Sequence, residues 1–350
     1  MNSLFLLSHS KNKGGAEFLH QLFLDSFKKE NINFFHLFVK KENITGNNEY
    51  GLGSGIINLI IRFPLSLYVI ITKVKDCQII FILQEGYHLI LSWIIAKISK
   101  KKQILWLHSY PTELFKGKII SKIMSKVMAD VDKIICVSKD VQNNYNAFTM
   151  NKNKNSYVVL PGFNWDYIEK LSSQKSNTNY PIYDKEYVLW LGRLSEEKNP
   201  DYILEIGKYI KDNNFPYYIS VVGDGPMFHK LKKSIEIKNL KDSVFLEGQL
   251  NNPYPLLNNA KVLLSTSCFE GFSLTIIEAL YFNIPVIVTN KHVFNRFKHF
   301  NNVFYFNEKN HHEILSFISS LNTIYDEKQL VISQYSWKNT YNKIINIVSI

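Results

Sequence analysis

Ser267-Cys268-Phe269-Glu270-Gly271-Phe272-Ser273-Leu274-Thr275-Ile276-Ile277-Glu278-Ala279-Leu280 places two carboxylates eight positions apart. A glycine follows the first, and an apolar helical pattern surrounds the second. The apolar run Val262-Leu263-Leu264 ahead of it reads as a buried strand. Ser265 to Ser267, Gly271 and Ser273 read as a tight loop and a helix start. Glu270 therefore falls on the loop and Glu278 inside the helix. A helix start offers free N–H groups and partial positive charge, which suit a phosphate. The carboxylates can accept hydrogen bonds from paired hydroxyls. A diphosphate flanked by two polyols, such as a nucleotide sugar, fits this arrangement. The plainer alternative is a strand-loop-helix crossover with solvated glutamates.

Working outward, Tyr187-Val188-Leu189-Trp190-Leu191 reads as a strand ending at Gly192, with Arg193 and Lys198 in the segment that follows. Arg can fork two phosphate oxygens, while Lys supplies a point charge. Their alternative use is to pair with Glu196 and Glu197. Val221-Val222-Gly223-Asp224-Gly225-Pro226 is a strand end and a glycine turn, in which Asp224 is expected to shape the turn and cap the next helix, with a catalytic acid as the alternative. Near the start, the strand Leu4-Phe5-Leu6-Leu7 leads to Lys13-Gly14-Gly15-Ala16-Glu17 and a helical pattern through Phe18, Leu19, Leu22 and Phe23. A glycine pair there lets backbone approach a phosphate, although many such turns need glycine only for geometry. The strand Ile104-Leu105-Trp106-Leu107 ends in His108, at the strand end that faces ligands in open α/β sheets. His108 could equally hydrogen-bond only its neighbouring loops. Lys133 to Val137 leads to Ser138, for which a helix-cap role suffices.

The Glu-Gly-Phe-Ser-Leu-x-x-x-Glu-Ala pattern at 270–279 resembles the signature of the GT4 family of retaining glycosyltransferases, glycosyltransferase group 1. The Gly192-Arg193-Leu194 and Lys198-Asn199 elements and the glycine loop at 14–15 are similar to that family's and stand in the same order. The resemblance implies the GT-B fold: α/β, two Rossmann-like doubly wound domains with an interdomain cleft and a C-terminal crossover helix. It implies that Arg193 and Lys198 hold the donor diphosphate and that Glu270 and Glu278 hold sugar and ribose hydroxyls. Gly14, Gly15, Gly223 and the Gly271-Phe272-Ser273-Leu274 backbone would line the donor, and His108 would lie close to the donor sugar. The implied catalytic set is Arg193, Lys198, Glu270 and His108. The implied reaction moves a sugar from a nucleotide-diphosphate sugar to a saccharide acceptor, with a polyprenyl-diphosphate-linked one as the candidate, in surface polysaccharide (O-antigen, capsule or lipopolysaccharide) assembly. No cofactor or metal is implied. The chain departs from the family where a glycine-rich loop with another Glu is usual. It has Asn290-Lys291-His292-Val293-Phe294-Asn295-Arg296-Phe297 instead, and Asn283 where the family has Gly. These departures keep open a non-catalytic partner subunit or a sugar-nucleotide epimerase on the same fold.

The 350 residues suffice for two domains, and 46% hydrophobic against 20% charged residues suits a globular protein. The expected boundaries are an N-terminal domain at 1–171, a polar linker at 172–186, a nucleotide-sugar domain at 187–330 and a crossover helix at 331–350. Cys77, Cys136 and Cys268 lack metal spacing and are odd in number, so reduced, buried thiols are expected. Asp130-Val131-Asp132 precedes a strand and is not expected to bind a metal. Net charge is +11, with eight lysines against Glu113 in residues 97–126. Lysines alternating with apolar residues over 119–128 suit an anionic membrane surface, as well as a solvated helix face. The lysines do not interleave with exposed aromatics, so no nucleic-acid partner is expected. The runs 56–74 and 79–98 are broken by charged, polar or Pro and Gly residues, so neither is read as a membrane span. With no signal peptide read at the start, the expected location is the cytoplasm, peripheral to the inner face of the membrane through the basic N-terminal domain.

Overall fold

In the computed structural model the described residues are 4–8, 15–38, 49–51, 70, 72–83, 85–152, 155–174, 186–289, 291–307 and 310–349. Gly14 and most of the 56–74 run lie outside them. The chain divides into two compact units, one of residues 1–162 with 337–350 and one of residues 163–336.

The first unit holds β1 (Leu4–Ser8), β2 (Phe34–Phe38), β3 (Glu49–Gly51), β4 (Ile79–Ile82), β5 (Lys102–Leu107), β6 (Lys133–Cys136) and β7 (Ser156–Val158). They form one sheet in the order β3-β2-β1-β4-β5-β6-β7, and every pair is parallel. Parallel strands buried on both faces read as near-continuous apolar runs, as Ile79-Ile80-Phe81-Ile82 does. Trp106 on β5 is fully buried and meets Phe81 and Phe23 at ring centroids 6.5 and 5.9 Å apart.

The second unit repeats the plan with β8 (Tyr187–Leu191), β9 (Tyr218–Val222), β10 (Val244–Gly248), β11 (Val262–Ser265), β12 (Val286–Val288) and β13 (Val303–Tyr305). Their order is β10-β9-β8-β11-β12-β13, again all parallel. Each sheet reverses its winding once, between β1 and β4 and between β8 and β11. Loops at the carboxyl ends of strands flanking such a reversal form a crevice. Arg193 follows β8 and Glu270 follows β11, so the topology itself brings them together.

The domain boundary expected at 171 falls instead at 162. The helix Trp165–Ser172 belongs to the second unit because its side chains find partners there. The Trp165 ring stacks on Tyr281 at 4.3 Å, the Tyr281 hydroxyl donates to Glu169 at 2.5 Å, and Asn252 donates to the Leu171 carbonyl at 2.9 Å. Most of the expected linker, 175–185, lies outside the described residues. The expected 331–350 helix is two helices, Lys328–Gln334 and Trp337–Ser349, and only the second returns to the first unit. Trp337 Nε1 donates to Ser26 Oγ and the Tyr341 hydroxyl to Glu30, each at 2.8 Å, while Tyr341 packs edge-on against Phe23.

Candidate active site

The carboxyl ends of β8, β9 and β11 build the constellation in the second unit. The turns after β8 and β9 are laced by backbone bonds. Gly192 N–H donates to the Val222 carbonyl and Leu194 N–H to the Asp224 carbonyl, both at 3.0 Å. This approach demands glycine. A Cβ on Gly223 would lie 1.8 Å from the Gly192 oxygen, and its φ of +144° is one that L side chains rarely adopt. Packing alone thus accounts for Gly223. Asp224 accepts from Gly225 N–H at 2.7 Å and shapes the turn. It does not cap the helix Phe228–Ile237, whose N-cap residue Met227 makes no side-chain cap bond. The expected capping role is therefore corrected.

After β8 the chain makes a single 3-10 turn, Glu196–Lys198, and leaves it through Asn199 in the left-handed region. Ser195 Oγ donates to Glu197 at 2.5 Å, and the Glu197 carbonyl accepts from Cys268 N–H at 2.8 Å. Thr266 Oγ1 shares its proton between the carbonyls of Lys198 and Asn199 and accepts from Trp190 Nε1 at 3.0 Å. These contacts bind the β8 and β11 loops into one body. Glu197 is engaged by Ser195 rather than by Arg193 or Lys198, against the plainer sequence alternative. Arg193 is exposed, and no described residue pairs with its guanidinium. Lys198 instead forms an ion pair with Glu270 Oε1, which also accepts from Ser267 Oγ at 2.9 Å. Glu270 Oε2 keeps its acceptor capacity among the described residues.

The helix Leu274–Tyr281 starts at Ser273, whose hydroxyl does not cap it. The N–H groups of Phe272, Ser273 and Leu274 find no acceptor among the described residues. One turn in, Glu278 is buried and accepts from the Tyr254 hydroxyl at 2.8 Å through Oε1. Burial pushes the Glu278 carboxyl up to about 7, with the Tyr254 bond opposing. Burial, then the neighbouring Glu278 charge, raise the Tyr254 phenol. The contacts of Tyr254 with Glu278 and of Ser267 with Glu270 have no sequence signature. Tyr254 stands 24 positions from its partner, with no local signal joining them.

The Glu278 titration has a measurable sign. Its folded value lies above the usual 4.5, so the stability it contributes is fully present below pH 4.5 and is lost as pH rises through about 7. The loss amounts to about 3 kcal/mol. Thermal melts of the parent and of Glu278→Gln should therefore diverge between pH 4.5 and 7.5, the parent falling more steeply. Parallel curves would rule out an elevated Glu278.

In the first unit His108 is half-buried at the end of β5, and its backbone N–H donates to Glu85 at 3.0 Å. Its Nε2 lies 3.1 Å from the Leu83 carbonyl and 3.2 Å from Nε2 of His20. Burial lowers the His108 imidazole, with Glu85 opposing, and lowers buried His20 well below the usual histidine range. Both rings are then neutral near pH 7. In the tautomer that donates Nε2–H to Leu83, His108 Nδ1 remains an acceptor. His20 shares this cluster from the helix Gly15–Lys29, which Gly15 opens. Ser138 caps Lys139–Phe148 through Val141 N–H at 3.2 Å. The Asp130 and Asp132 carboxylates are engaged by Lys97 and Trp93 and by Gln103 N–H respectively. Cys77 and Cys136 are buried, whereas Cys268, expected to be buried, is exposed because it sits on the loop after β11.

Residues 172–339 match the profile of the glycosyl transferases group 1. The likeness to the glycosyl transferases group 1 is carried by residues 172–339, just under half of the chain. The matched span carries Arg193, Lys198, Glu270 and Glu278. An uncharacterised glycosyltransferase of Methanocaldococcus jannaschii is 29% identical over 203 residues, which is 56% of this chain and 50% of that protein. The UDP-Gal:alpha-D-GlcNAc-diphosphoundecaprenol alpha-1,3-galactosyltransferase of Escherichia coli is 30% identical over 258 residues, 71% of this chain and 61% of that protein. The chain thus spans about half to three fifths of these relatives. Anabaena HepE, solved with UDP-glucose, shares the GT-B fold with a TM-score of 0.80 and 15% identity over 99% of both chains.

Proposed function

We propose that this chain is a metal-independent retaining glycosyltransferase of group 1 that moves a sugar from a nucleoside-diphosphate sugar to a lipid-linked saccharide in surface polysaccharide assembly. One observation carries the reading. Arg193 follows β8 with no partner for its guanidinium among the described residues, and the Lys198–Glu270 pair and the uncapped start of Leu274–Tyr281 follow the adjacent β8 and β11 strand ends, a set of cations and N–H groups suited to a diphosphate. Each of the two carboxylates has its Oε1 tied down, and its Oε2 has no partner among the described residues. In the reaction the bond from sugar C1 to the diphosphate oxygen breaks as the acceptor oxygen bonds C1 from the same face. The acceptor proton passes to the departing phosphate. Arg193, Lys198 and the helix-start amides stabilise the charge that grows on the leaving group, an effect larger in the transition state than in the ground state. We assign the acceptor to the first unit, with neutral His108 accepting or donating at its strand end.

The relatives support the acceptor class, since the Escherichia coli protein is named for a diphosphoundecaprenol-linked acceptor. The test is calorimetric titration with UDP, GDP and ADP, with and without EDTA. Binding of one diphosphate that survives EDTA, followed by transfer from the matching nucleotide sugar, is the expected result. Failure of all three to bind would leave the non-catalytic subunit as the better reading.

We further propose that the first unit rests on an anionic membrane. No helix among the described residues is long and apolar enough to cross a bilayer. The helix Lys118–Ala129 buries Met124, Val127 and Met128 and turns Lys118, Lys122 and Lys126 outward on one stripe. Beside them Ile119 is 79% exposed, as is Ile98 on the neighbouring helix His88–Ser99. Exposed aliphatics among cations suit insertion at a headgroup surface better than solvation alone. Changing the three lysines to Gln should abolish sedimentation with phosphatidylglycerol vesicles, and parent binding should fall with salt. Salt-independent binding, or none by the parent, would end this reading.

A further inference from the structure

The stretch 290–297 is where the chain departs from the pattern it resembles, and one of its residues reaches the donor loop. Arg296, on the 3-10 turn Asn295–Phe297, is half-buried. Its Nη1 donates to the Gly271 carbonyl at 2.5 Å and its Nη2 to the Glu270 carbonyl at 3.2 Å. The guanidinium lies 5.9 Å from the centre of the Phe272 ring, which also meets Phe297 and Tyr335 at 5.9 and 5.8 Å. A planar guanidinium holds two acceptors in a fixed fork, so the orientation of two successive peptide planes is set by one side chain.

We propose that Arg296 is a positioning residue that aims the amides of Gly271 and Phe272 at the donor diphosphate. This deepens the donor-site reading above and rests on it. In a trans peptide the carbonyl and the following N–H point in opposite directions. Fixing the Glu270 oxygen on Arg296 therefore turns the Gly271 N–H to the opposite side, and fixing the Gly271 oxygen does the same for Phe272 N–H. The Phe272 amide meets no acceptor among the described residues, as expected of a group held for a ligand. Glycine permits either orientation of the plane at 271. Without the fork, a rotated plane presents a carbonyl oxygen to the phosphate in place of a donor. The positive charge also polarises both peptides, which strengthens the outward N–H groups. Arg296 thus acts through two peptide units and need not touch the donor itself.

The test compares the parent, Arg296→Gln and Arg296→Lys by calorimetry, using the diphosphate among UDP, GDP and ADP that the parent binds, together with its monophosphate. Arg296→Gln should weaken the diphosphate about tenfold or more and the monophosphate much less, so that the gap between them narrows. Arg296→Lys, which keeps the charge and one bond, should fall between. A merely structural role would weaken both nucleotides equally, and that result overturns the proposal, as does parent-like binding by Arg296→Gln. Should Arg296→Gln fail to fold, Arg296→Lys decides: a selective loss of the diphosphate supports the proposal and its absence overturns it. A parent that binds none of the diphosphates removes the donor-site reading and this inference together.

Discussion

Arg193→Ala is expected to lower kcat by about 10²- to 10³-fold while the melting temperature stays within a few degrees of the parent. The two halves of this expectation have separate causes. Arg193 is exposed and pairs with no described residue, so its removal breaks no packing and leaves no buried charge alone. The lost function follows from placement at the end of β8, where a guanidinium can fork two phosphate oxygens as negative charge develops. Lys198 cannot substitute, because its ammonium is shared with Glu270. Arg193→Lys should recover part of the rate, since it restores the charge but not the fork. Near-parent kcat in Arg193→Ala would remove the leaving-group assignment.

Gly223→Ala is expected to have the largest effect on stability, a loss of more than about 3 kcal/mol. The added Cβ would lie 1.8 Å from the Gly192 oxygen, and that atom is backbone. It cannot rotate away as a side-chain tip could. Relief requires the β8 and β9 turns to part, which breaks the Gly192–Val222 and Leu194–Asp224 bonds. The same motion shifts Arg193, so nucleotide binding should fall with stability. The contrast with Arg193→Ala is diagnostic, since one variant separates function from folding and the other joins them. A thermal melt of Gly223→Ala should show a drop of about 10 °C. An unshifted melt would mean that the two turns are not packed as described.

Much of this molecule follows from local sequence. Continuous apolar runs such as Ile79-Ile80-Phe81-Ile82 suit strands buried on both faces, and their alternation with helical patterns makes the α/β class readable without a partner. The βα turn at Ser267–Ser273 and the Arg193 and Lys198 pattern point to a candidate site because phosphate and hydroxyl recognition need those residue types at strand ends. Other features depend on partners distant in sequence, which carry no periodic signal. The helix Trp165–Ser172 joins the second unit because Trp165 stacks on Tyr281, a partner 116 positions away that no local pattern signals. Tyr254 beside Glu278, His20 beside His108 and Arg296 behind Gly271 are contacts of the same kind.

Local pattern in the sequence suffices for the α/β organisation and for the resemblance to the glycosyl transferases group 1, because each rests on residues close together in the chain. Tertiary structure alone decided which groups hold those residues in place. It pairs Lys198 with Glu270, gives Arg193 no partner among the described residues, and sets Arg296 against the carbonyls of Glu270 and Gly271. The physical reason is that a hydrogen bond or ion pair depends on distance in space, and folding fixes that distance between residues with no spacing rule to connect them.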